Sequence, residues 1–302
     1  MRPVLSGLLA LACAATVVLL ARIAVGTASG QRLDQLTLSG AQLDTGMLSQ
    51  MVGLAAGTVS LPVVLAALAC VAVIAVLRRR ADLLVPLAVL VGGANLSTQV
   101  IKHVVVTREV LGPGIDVTPN SFPSGHTTLA ASTAIALVLV AGRARGPVAV
   151  LGALWTAGAG IGTLALGWHR ASDVAGAIAV VATWTFLMLA VDGVVQYRRA
   201  AATTTTAAAT AMTPCMTREP LPAGEVPTAL ALATAGVTGL LLGMVAFTAL
   251  GLPLVLHDPA HQQAAYRTTV AVISAGTALW MAMVLLLRAP EPRRTPLDDR
   301  VP

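Results

Sequence analysis

The chain has 302 residues, of which 56% are hydrophobic and 11% charged, with a formal net charge of +6. Soluble domains carry about 25% charged residues, so this composition excludes a soluble globular protein. Most basic residues lie in short clusters beside long apolar runs, so the positive charge indicates membrane topology rather than nucleic-acid binding. We therefore predict an all-α, polytopic membrane helix bundle.

Eight apolar runs predict eight membrane-spanning helices. In chain order they cover residues 4–25, 53–77, 83–101, 123–141, 148–166, 174–195, 228–250 and 268–287. The first run follows Arg2 and is interpreted as an uncleaved span rather than a signal peptide, although both interpretations leave the later topology unchanged. A polar stretch, residues 27–50, separates it from the second run.

Composition divides the chain into four parts. Residues 1–199 contain the first six runs and are predicted to form a six-helix core. Residues 200–227 are rich in Thr, Ala and Pro, which predicts a flexible cytoplasmic linker. Residues 228–288 contain two additional spans, and the charged, proline-rich residues 289–302 predict a disordered cytoplasmic tail.

The arginine clusters predict the orientation of the spans. If both termini are cytoplasmic, every arginine cluster falls on a cytoplasmic segment of a multi-pass protein of the cell membrane. Lys102, Arg108 and Arg170 then lie on the extracytoplasmic side, against the usual charge bias. Basic residues that break the topology rule require another explanation.

Three polar stretches lie on this predicted outer side. They are IKHVVVTRE (101–109), PSGH (123–126) and GWHRASD (167–173). The second opens the fourth span and the third opens the sixth, so two helix N-termini, with free N–H groups and positive dipole ends, face outward. Together with Lys102 and Arg108 they predict an anion site suited to phosphate.

The same stretches contain groups suited to phosphate chemistry. His169 and Asp173 are four residues apart, so one helix face carries both, and the carboxylate can orient the imidazole as a nucleophile or base. His126 comes from another helix and can act as a general acid. Ser124 offers a helix N-cap hydroxyl, and Gly125 allows backbone N–H groups to approach an oxyanion.

In this order, the three stretches resemble the type 2 phosphatidic acid phosphatase family, which shares its site with vanadium haloperoxidases. The resemblance covers roughly residues 95–177. It implies that His169 attacks phosphate, that Asp173 orients it and that His126 protonates the leaving group. It also implies that the reaction needs no metal or other cofactor. The residues that it assigns to phosphate binding are Lys102, Arg108, Ser124 and Gly125.

Two positions depart from the family pattern. Glu109 follows Arg108 where the family has proline, and the spacing from Lys102 to Arg108 is one residue shorter than the commonest form. Thr163 stands where the family's third motif has an arginine. We expect Arg170, next to the nucleophile, to supply this phosphate ligand.

The predicted function is therefore hydrolysis of a lipid phosphomonoester or pyrophosphate through a phosphohistidine at the extracytoplasmic face. The expected partners are a lipid phosphate substrate and membrane lipids, and no nucleic acid. Polyprenyl (pyro)phosphates, phosphatidic acid and phosphatidylglycerol phosphate are all candidate substrates. The main alternative is a catalytically impaired relative that binds or carries lipid phosphates, followed by a vanadate haloperoxidase. A proton-coupled transporter would need ionisable residues at mid-span depth, and the spans have almost none.

Less specific interpretations also exist for the individual residues. Lys102 and Arg108 could extend from a span end to the membrane surface, and His169 with Asp173 could form a structural pair. His257 and His261 are interpreted as solvated loop residues. The polar residues of the third span are candidates for supporting hydrogen bonds; they are Asn95, Thr98 and Gln99.

Overall fold

The computed structural model describes residues 2–115, 119–209, 225–249 and 255–288, and these residues fold as ten α-helices without a β-strand. The first five helices are α1 (Arg2–Leu20), α2 (Ala28–Leu43), α3 (Met47–Gly57), α4 (Leu61–Leu77) and α5 (Leu84–Val100). The others are α6 (Gly125–Val140), α7 (Arg145–Ala165), α8 (Ala171–Ala209), α9 (Glu225–Ala249) and α10 (Pro259–Leu287). The protein is an all-α, polytopic bundle, as predicted.

The predicted spans all correspond to helices. Six are long and apolar enough to cross a membrane: Arg2–Val25, Ala81–Val105, Gly142–Ala165, Ala171–Arg199, Glu225–Thr248 and Pro259–Leu287. A bent pair of helices, α3 and α4, matches the second predicted span, and the shorter apolar helix α6 matches the fourth. The sequence pattern therefore located the spans but not their shapes.

The second predicted span, residues 53–77, is broken rather than continuous. Its two halves meet at an angle of 71°. The break falls between Gly57 and Leu61, where Ser60 has an extended backbone and Pro62 occupies the first turn of α4. Proline lacks the N–H that a continuous helix would need and is favoured in a first turn, which explains why the chain restarts there.

The polar stretch between the first two spans folds as a buried helix. Thr27 caps α2 by accepting a hydrogen bond from the N–H of Gly30 at 3.1 Å. The buried face of α2 is largely polar and carries Gln31, Asp34 and Gln35. Such a face is stable only when its polar groups find partners, so α2 must be held against other polar groups of the bundle.

Contacts between arginines and other helices define one end of the bundle. Arg145, at the start of α7, pairs with Glu225, at the start of α9, at 3.4 Å, and both are buried. Arg288, just after α10, donates to the carbonyl of Leu139 in α6, and Arg2 donates to the carbonyl of Arg288 at 3.3 Å. Since α6 and α7 run in opposite directions, their other ends meet at the opposite end of the bundle.

The two C-terminal spans pack on the rest of the bundle. Helix α9 lies along α10, and α10 also contacts α2, α7 and α8. At Gly40 of α2 an added Cβ would lie 2.0 Å from the carbonyl oxygen of Gln262, so these two helices approach closely. Helix α8 continues to Ala209, into the segment predicted as a linker. The remainder of that linker falls mainly on residues 210–224, and the predicted tail begins at residue 289; both lie outside the described residues.

Candidate active site

The loop that enters α6 is fixed by packing and by hydrogen bonds. Ser124 is fully buried as the N-cap of α6, and its Oγ accepts from the backbone N–H of Thr127. Phe122 is also fully buried, and it packs on Gly176 of α8, where a Cβ would lie 2.4 Å from the ring. The N–H of Ser124 donates to the carbonyl of Asp173 at 2.9 Å. This bond joins the start of α6 to the first turn of α8.

A tight turn between α7 and α8 presents His169. The carbonyl of Thr163 accepts hydrogen bonds from the N–H groups of Trp168 at 2.9 Å and His169 at 3.2 Å. Gly167 has φ +73°, a conformation that glycine adopts without strain. Asp173 then caps the new helix, because its Oδ2 accepts from the backbone N–H of Arg170 at 2.9 Å.

The two helix starts bring the predicted catalytic residues together. The ring centroids of His126 and His169 are 6.2 Å apart, with their planes nearly perpendicular. Nδ1 of His169 lies 3.5 Å from Oδ2 of Asp173, and this nitrogen has no other partner among the described residues. The ring of Trp168 lies 5.3 Å from that of His126. The site therefore contains two facing imidazoles, one of which has a carboxylate beside it.

Asp173 is fully buried and links four elements of the site. Its Oδ1 accepts from Nη2 of Arg108 at 3.2 Å, and its Oδ2 accepts from Oγ of Ser121 at 2.5 Å. The same Oδ2 faces His169 and the N–H of Arg170. A carboxylate with this many donors stays ionised and fixed in place, which is what an orienting group requires.

Arg108 lies in a cluster of buried charges. Nη2 contacts Asp173, Oδ2 of Asp34 at 3.6 Å and Oγ of Ser172 at 3.4 Å. Its side chain is only 5% exposed. Nε and Nη1 are buried and have no hydrogen-bond partner among the described residues. These two nitrogens are donors that an anion would satisfy.

Lys102 lies in a widened helical turn, residues Ile101–Val105, at the end of α5. The side-chain amide of Asn120 donates to the carbonyls of Lys102 at 2.9 Å and Val106 at 2.6 Å, which fixes this turn. The ammonium group is half-buried, within electrostatic range of Asp173 and His126. The cation predicted for this site therefore interacts electrostatically with a residue of each of the other two motifs.

The remaining predicted ligands occupy different environments. Gly125 is the first residue of α6, and an added Cβ there would meet only Nε2 of Gln99, at 3.8 Å. The hydroxyl of Ser124 is used in capping α6. Arg170 is 4% exposed, and the side chain of Thr163, also buried, bonds the carbonyl of Gly160 at 2.7 Å.

Sequence reasoning gave no role to several residues that build the site. Asn120 and Ser121 lie within three residues of the start of the PSGH stretch, and Ser172 lies inside the third stretch, so their positions near the motifs were available signals. Gln31 and Asp34 lie in the polar stretch before the second span, where nothing in the sequence connects them to the motifs.

Asp34 is the most unusual of these residues. It is 3% exposed and accepts hydrogen bonds from the N–H of Ser172 at 3.0 Å and its Oγ at 2.5 Å. Burial, and secondly the charge of Asp173, raise the pKa of Asp34 to about 6, although the Ser172 bonds and Arg108 oppose the rise. The carboxylate is therefore ionised at neutral pH and becomes protonated in mildly acidic solution.

Comparison with known proteins identifies the segment that carries this geometry. Residues 59–197 match the family model described as the PAP2 superfamily. The matched residues, which we call the PAP2 domain, make up less than half of the chain. Neither the curated proteins nor the solved structures include a match to this chain.

The PAP2 domain contains all three motifs, including His126, His169 and Asp173. It spans α4 to α8, so α2, α9 and α10 lie outside the matched residues. The matched segment and the apolar helices together support a phosphatase-like protein of a membrane. Asp34 is therefore contributed to the site from outside the PAP2 domain.

Proposed function

We propose that the protein hydrolyses a phosphomonoester or pyrophosphate on a membrane lipid, through a phosphohistidine on His169. The observation that carries this proposal is the pair of facing imidazoles, 6.2 Å apart, with Asp173 behind one of them. In a reactive complex the attacking nitrogen lies about 3–3.5 Å from phosphorus, and the nitrogen of the acid lies about 3 Å from the leaving oxygen. Two facing imidazoles that approach one phosphoryl group from different sides can fill these two roles.

In the proposed first step, Nε2 of His169 attacks phosphorus while the bond to the lipid oxygen breaks. Asp173 holds Nδ1 of His169, so that the lone pair on Nε2 faces the substrate. His126 gives its proton to the departing oxygen, which leaves as the lipid alcohol or lipid monophosphate. In the second step, His126 takes a proton from water, the water oxygen attacks phosphorus, and the P–N bond breaks to release phosphate.

The charge that develops on the phosphoryl oxygens is stabilised by cations and helix ends. Lys102 and the two unpartnered nitrogens of Arg108 supply donors from the loop after α5. The first turns of α6 and α8 add backbone N–H groups and the positive ends of two helix dipoles. Fixed donors in a water-poor site are commonly the largest contribution to such catalysis.

The length of α6 supports a lipid substrate. This helix has 16 residues, which span about 24 Å, whereas the hydrocarbon core of a bilayer is about 30 Å thick. Arg143 follows its far end and, as a basic residue, is expected at the membrane surface. His126, in the first turn of α6, would then lie near the opposite boundary of the hydrocarbon, close beneath the headgroup layer that contains the lipid phosphates.

Exposed apolar side chains near the imidazoles also favour a lipid. Trp168 is 51% exposed although its ring lies beside His126. Leu166 precedes it, and Val104 and Val105 lie next to Lys102, all with exposed side chains. A substrate with a hydrocarbon chain can contact these residues while its phosphate enters the site.

We also propose that the site faces the extracytoplasmic side. Arg2, Arg145 and Arg288 lie at the end of the bundle opposite the imidazoles, and basic residues are concentrated on the cytoplasmic side of membrane proteins. The test uses a cysteine-free protein with one cysteine placed at Thr45, between α2 and α3, or at Arg79, after α4. A membrane-impermeant maleimide should label intact cells only in the Thr45→Cys protein, and the opposite pattern would reverse the orientation.

Phosphate release from a panel of lipids tests the proposed reaction. The panel contains phosphatidic acid, phosphatidylglycerol phosphate and a polyprenyl diphosphate in mixed micelles. Wild-type protein and His257→Ala, which changes an exposed histidine, should release phosphate from at least one of them. His169→Ala should show only background release. Equal release by wild type and His169→Ala would refute the mechanism.

A second candidate function, binding of lipid phosphates without turnover, is favoured by one observation. Thr163 occupies the position of a family arginine, and its fully buried hydroxyl already bonds Gly160. Incubation with a ³²P-labelled substrate and an alkaline quench distinguishes the two functions. If the protein becomes labelled, and the label is lost in His169→Ala, the result supports catalysis. If the substrate is bound but stays intact, the result supports binding or carriage of lipid phosphates without turnover.

A further inference from the structure

Helix α2 makes two hydrogen bonds, both through Gln31, to the backbone of the loop that carries Arg108. Nε2 of Gln31 donates to the carbonyl of Glu109 at 2.6 Å, and Oε1 of Gln31 accepts from the N–H of Leu111 at 3.1 Å. Gln31 therefore holds the backbone directly after Arg108. At the position after the arginine the family pattern has a proline, which fixes the backbone by itself, whereas this chain has Glu109.

The same face of α2 contacts the side chain of Arg108. Asp34 is three residues after Gln31, which places both on one face of the helix. Its Oδ2 lies 3.6 Å from Nη2 of Arg108, and both side chains are at most 5% exposed. Its two oxygens also accept from the N–H and Oγ of Ser172, in the first turn of α8.

Helix α2 is in turn held by α10. Gly40 packs against the backbone at Gln262, and the hydroxyl of Thr37 lies 3.2 Å from that of Thr269. Both helices lie outside residues 59–197. The position of Asp34 therefore depends on parts of the chain that the PAP2 domain does not include.

From this arrangement, and resting on the proposed function, we propose that Asp34 is a positioning residue of the phosphate site. It holds Arg108 through Nη2, on the side shared with Asp173, and leaves Nε and Nη1 for the substrate phosphate. Asp34 does not touch the substrate; it acts through Arg108 and through the start of α8. Gln31 assists by fixing the backbone that follows Arg108.

A double-mutant cycle on phosphate binding tests this role without requiring turnover. The affinity of the full-length, detergent-purified protein for orthovanadate and orthophosphate is measured by isothermal titration. The variants are Asp34→Asn, Arg108→Gln and the double mutant, each compared with wild type. Asp44→Asn is the matched control, because Asp44 directly follows α2 and its carboxylate accepts a hydrogen bond from the N–H of Gly46 rather than contacting Arg108.

We expect Asp34→Asn to weaken oxyanion binding about tenfold and to have no further effect once Arg108 is replaced. Asp44→Asn should bind as wild type does. If Asp34→Asn only lowers the thermal unfolding temperature and leaves the affinity of the folded protein unchanged, Asp34 is a structural residue and the inference is wrong. Equal losses from Asp34→Asn in both backgrounds would also overturn it, because the effect would not pass through Arg108.

The result separates this inference from the proposed function. If wild type binds oxyanion and Arg108→Gln weakens binding while Asp34→Asn does not, the phosphate site stands and the positioning role falls. If wild type binds neither oxyanion, the phosphate site itself is refuted, and the role of Asp34 falls with it.

Discussion

Oδ2 of Asp173 lies 3.5 Å from Nδ1 of His169, and the same carboxylate accepts a hydrogen bond from Arg108. One buried group therefore connects the proposed nucleophile with a proposed phosphate ligand. Oγ of Ser121 donates to Oδ2 as well, so the carboxylate cannot turn freely. Orientation of the imidazole and placement of the guanidinium are coupled through this residue.

Asp173→Asn is expected to lower kcat by about 10²-fold or more, because an amide neither stabilises the imidazolium nor fixes the tautomer of His169. Arg108 also loses a charged partner, so the thermal unfolding temperature should fall. Asp192→Asn, on the same helix but bonded to Gln196, is the control and should change neither quantity. Unchanged turnover in Asp173→Asn would contradict the assignment.

His126→Ala should affect substrates according to their leaving groups. A lipid alkoxide needs a proton as it departs, so turnover of the lipid substrate should fall about 10²–10⁴-fold. Phosphorylation of the protein by p-nitrophenyl phosphate needs little acid assistance, so the rate of this step should fall much less in His126→Ala. Burst kinetics separate this step from hydrolysis of the phosphohistidine. Equal losses of the first step for both substrates would show that His126 is not the acid.

The stability of the protein should depend on pH through Asp34. The pKa of this carboxyl is about 6 in the folded chain and 3.8 as a reference value, so the folded state binds the extra proton between these limits. The contribution of this carboxyl to the free energy of unfolding is fully present below about pH 4. It is lost as pH rises through about 6, and the loss amounts to roughly 3 kcal/mol at most. Thermal unfolding from pH 4 to 7 measures this loss.

Asp34→Asn removes the titrating group, so its unfolding temperature should vary less over that pH range than that of wild type. Asp44→Asn should keep the wild-type dependence. If Asp34→Asn shows the same pH dependence of unfolding as wild type, groups other than Asp34 cause that dependence.

Gly176→Ala should displace the loop that enters α6. Its Cβ would lie 2.4 Å from the ring of Phe122, and overpacking of this kind commonly costs about 1–3 kcal/mol. Because Phe122 lies four residues before His126, we expect lower turnover together with a lower unfolding temperature. Gly92→Ala is the control, since nothing lies within 4 Å of a Cβ there. Normal activity in Gly176→Ala would mean that the loop tolerates the shift.

The contacts among the three motifs were predictable because helix starts impose them. A capping serine before an apolar run fixes where α6 begins, and a histidine and an aspartate four apart share a helix face wherever α8 packs. Alternation of the spans then places both starts at one end of the bundle. The positions of the apolar helices followed from apolar length in the same way.

The contribution of Asp34 could not be predicted, because it depends on a contact between residues 138 positions apart in the chain. A single carboxylate in a polar stretch has no local pattern that distinguishes a solvated residue from a buried one. The break between α3 and α4 did have a local signal, Ser60 with Pro62, but overall hydropathy concealed it. Whether Arg170 replaces the arginine absent at Thr163 stays a prediction.

The close packing of α2 on α10 determines what a fragment of this protein would contain. A recombinant fragment limited to the family-matched segment would retain both imidazoles but would lose Asp34, the α2 residue that contacts Arg108. Transfer of α9 and α10 alone to another membrane protein would transfer neither Gln31 nor Asp34. The structural unit that holds Asp34 therefore extends beyond residues 59–197, into α2 and α10.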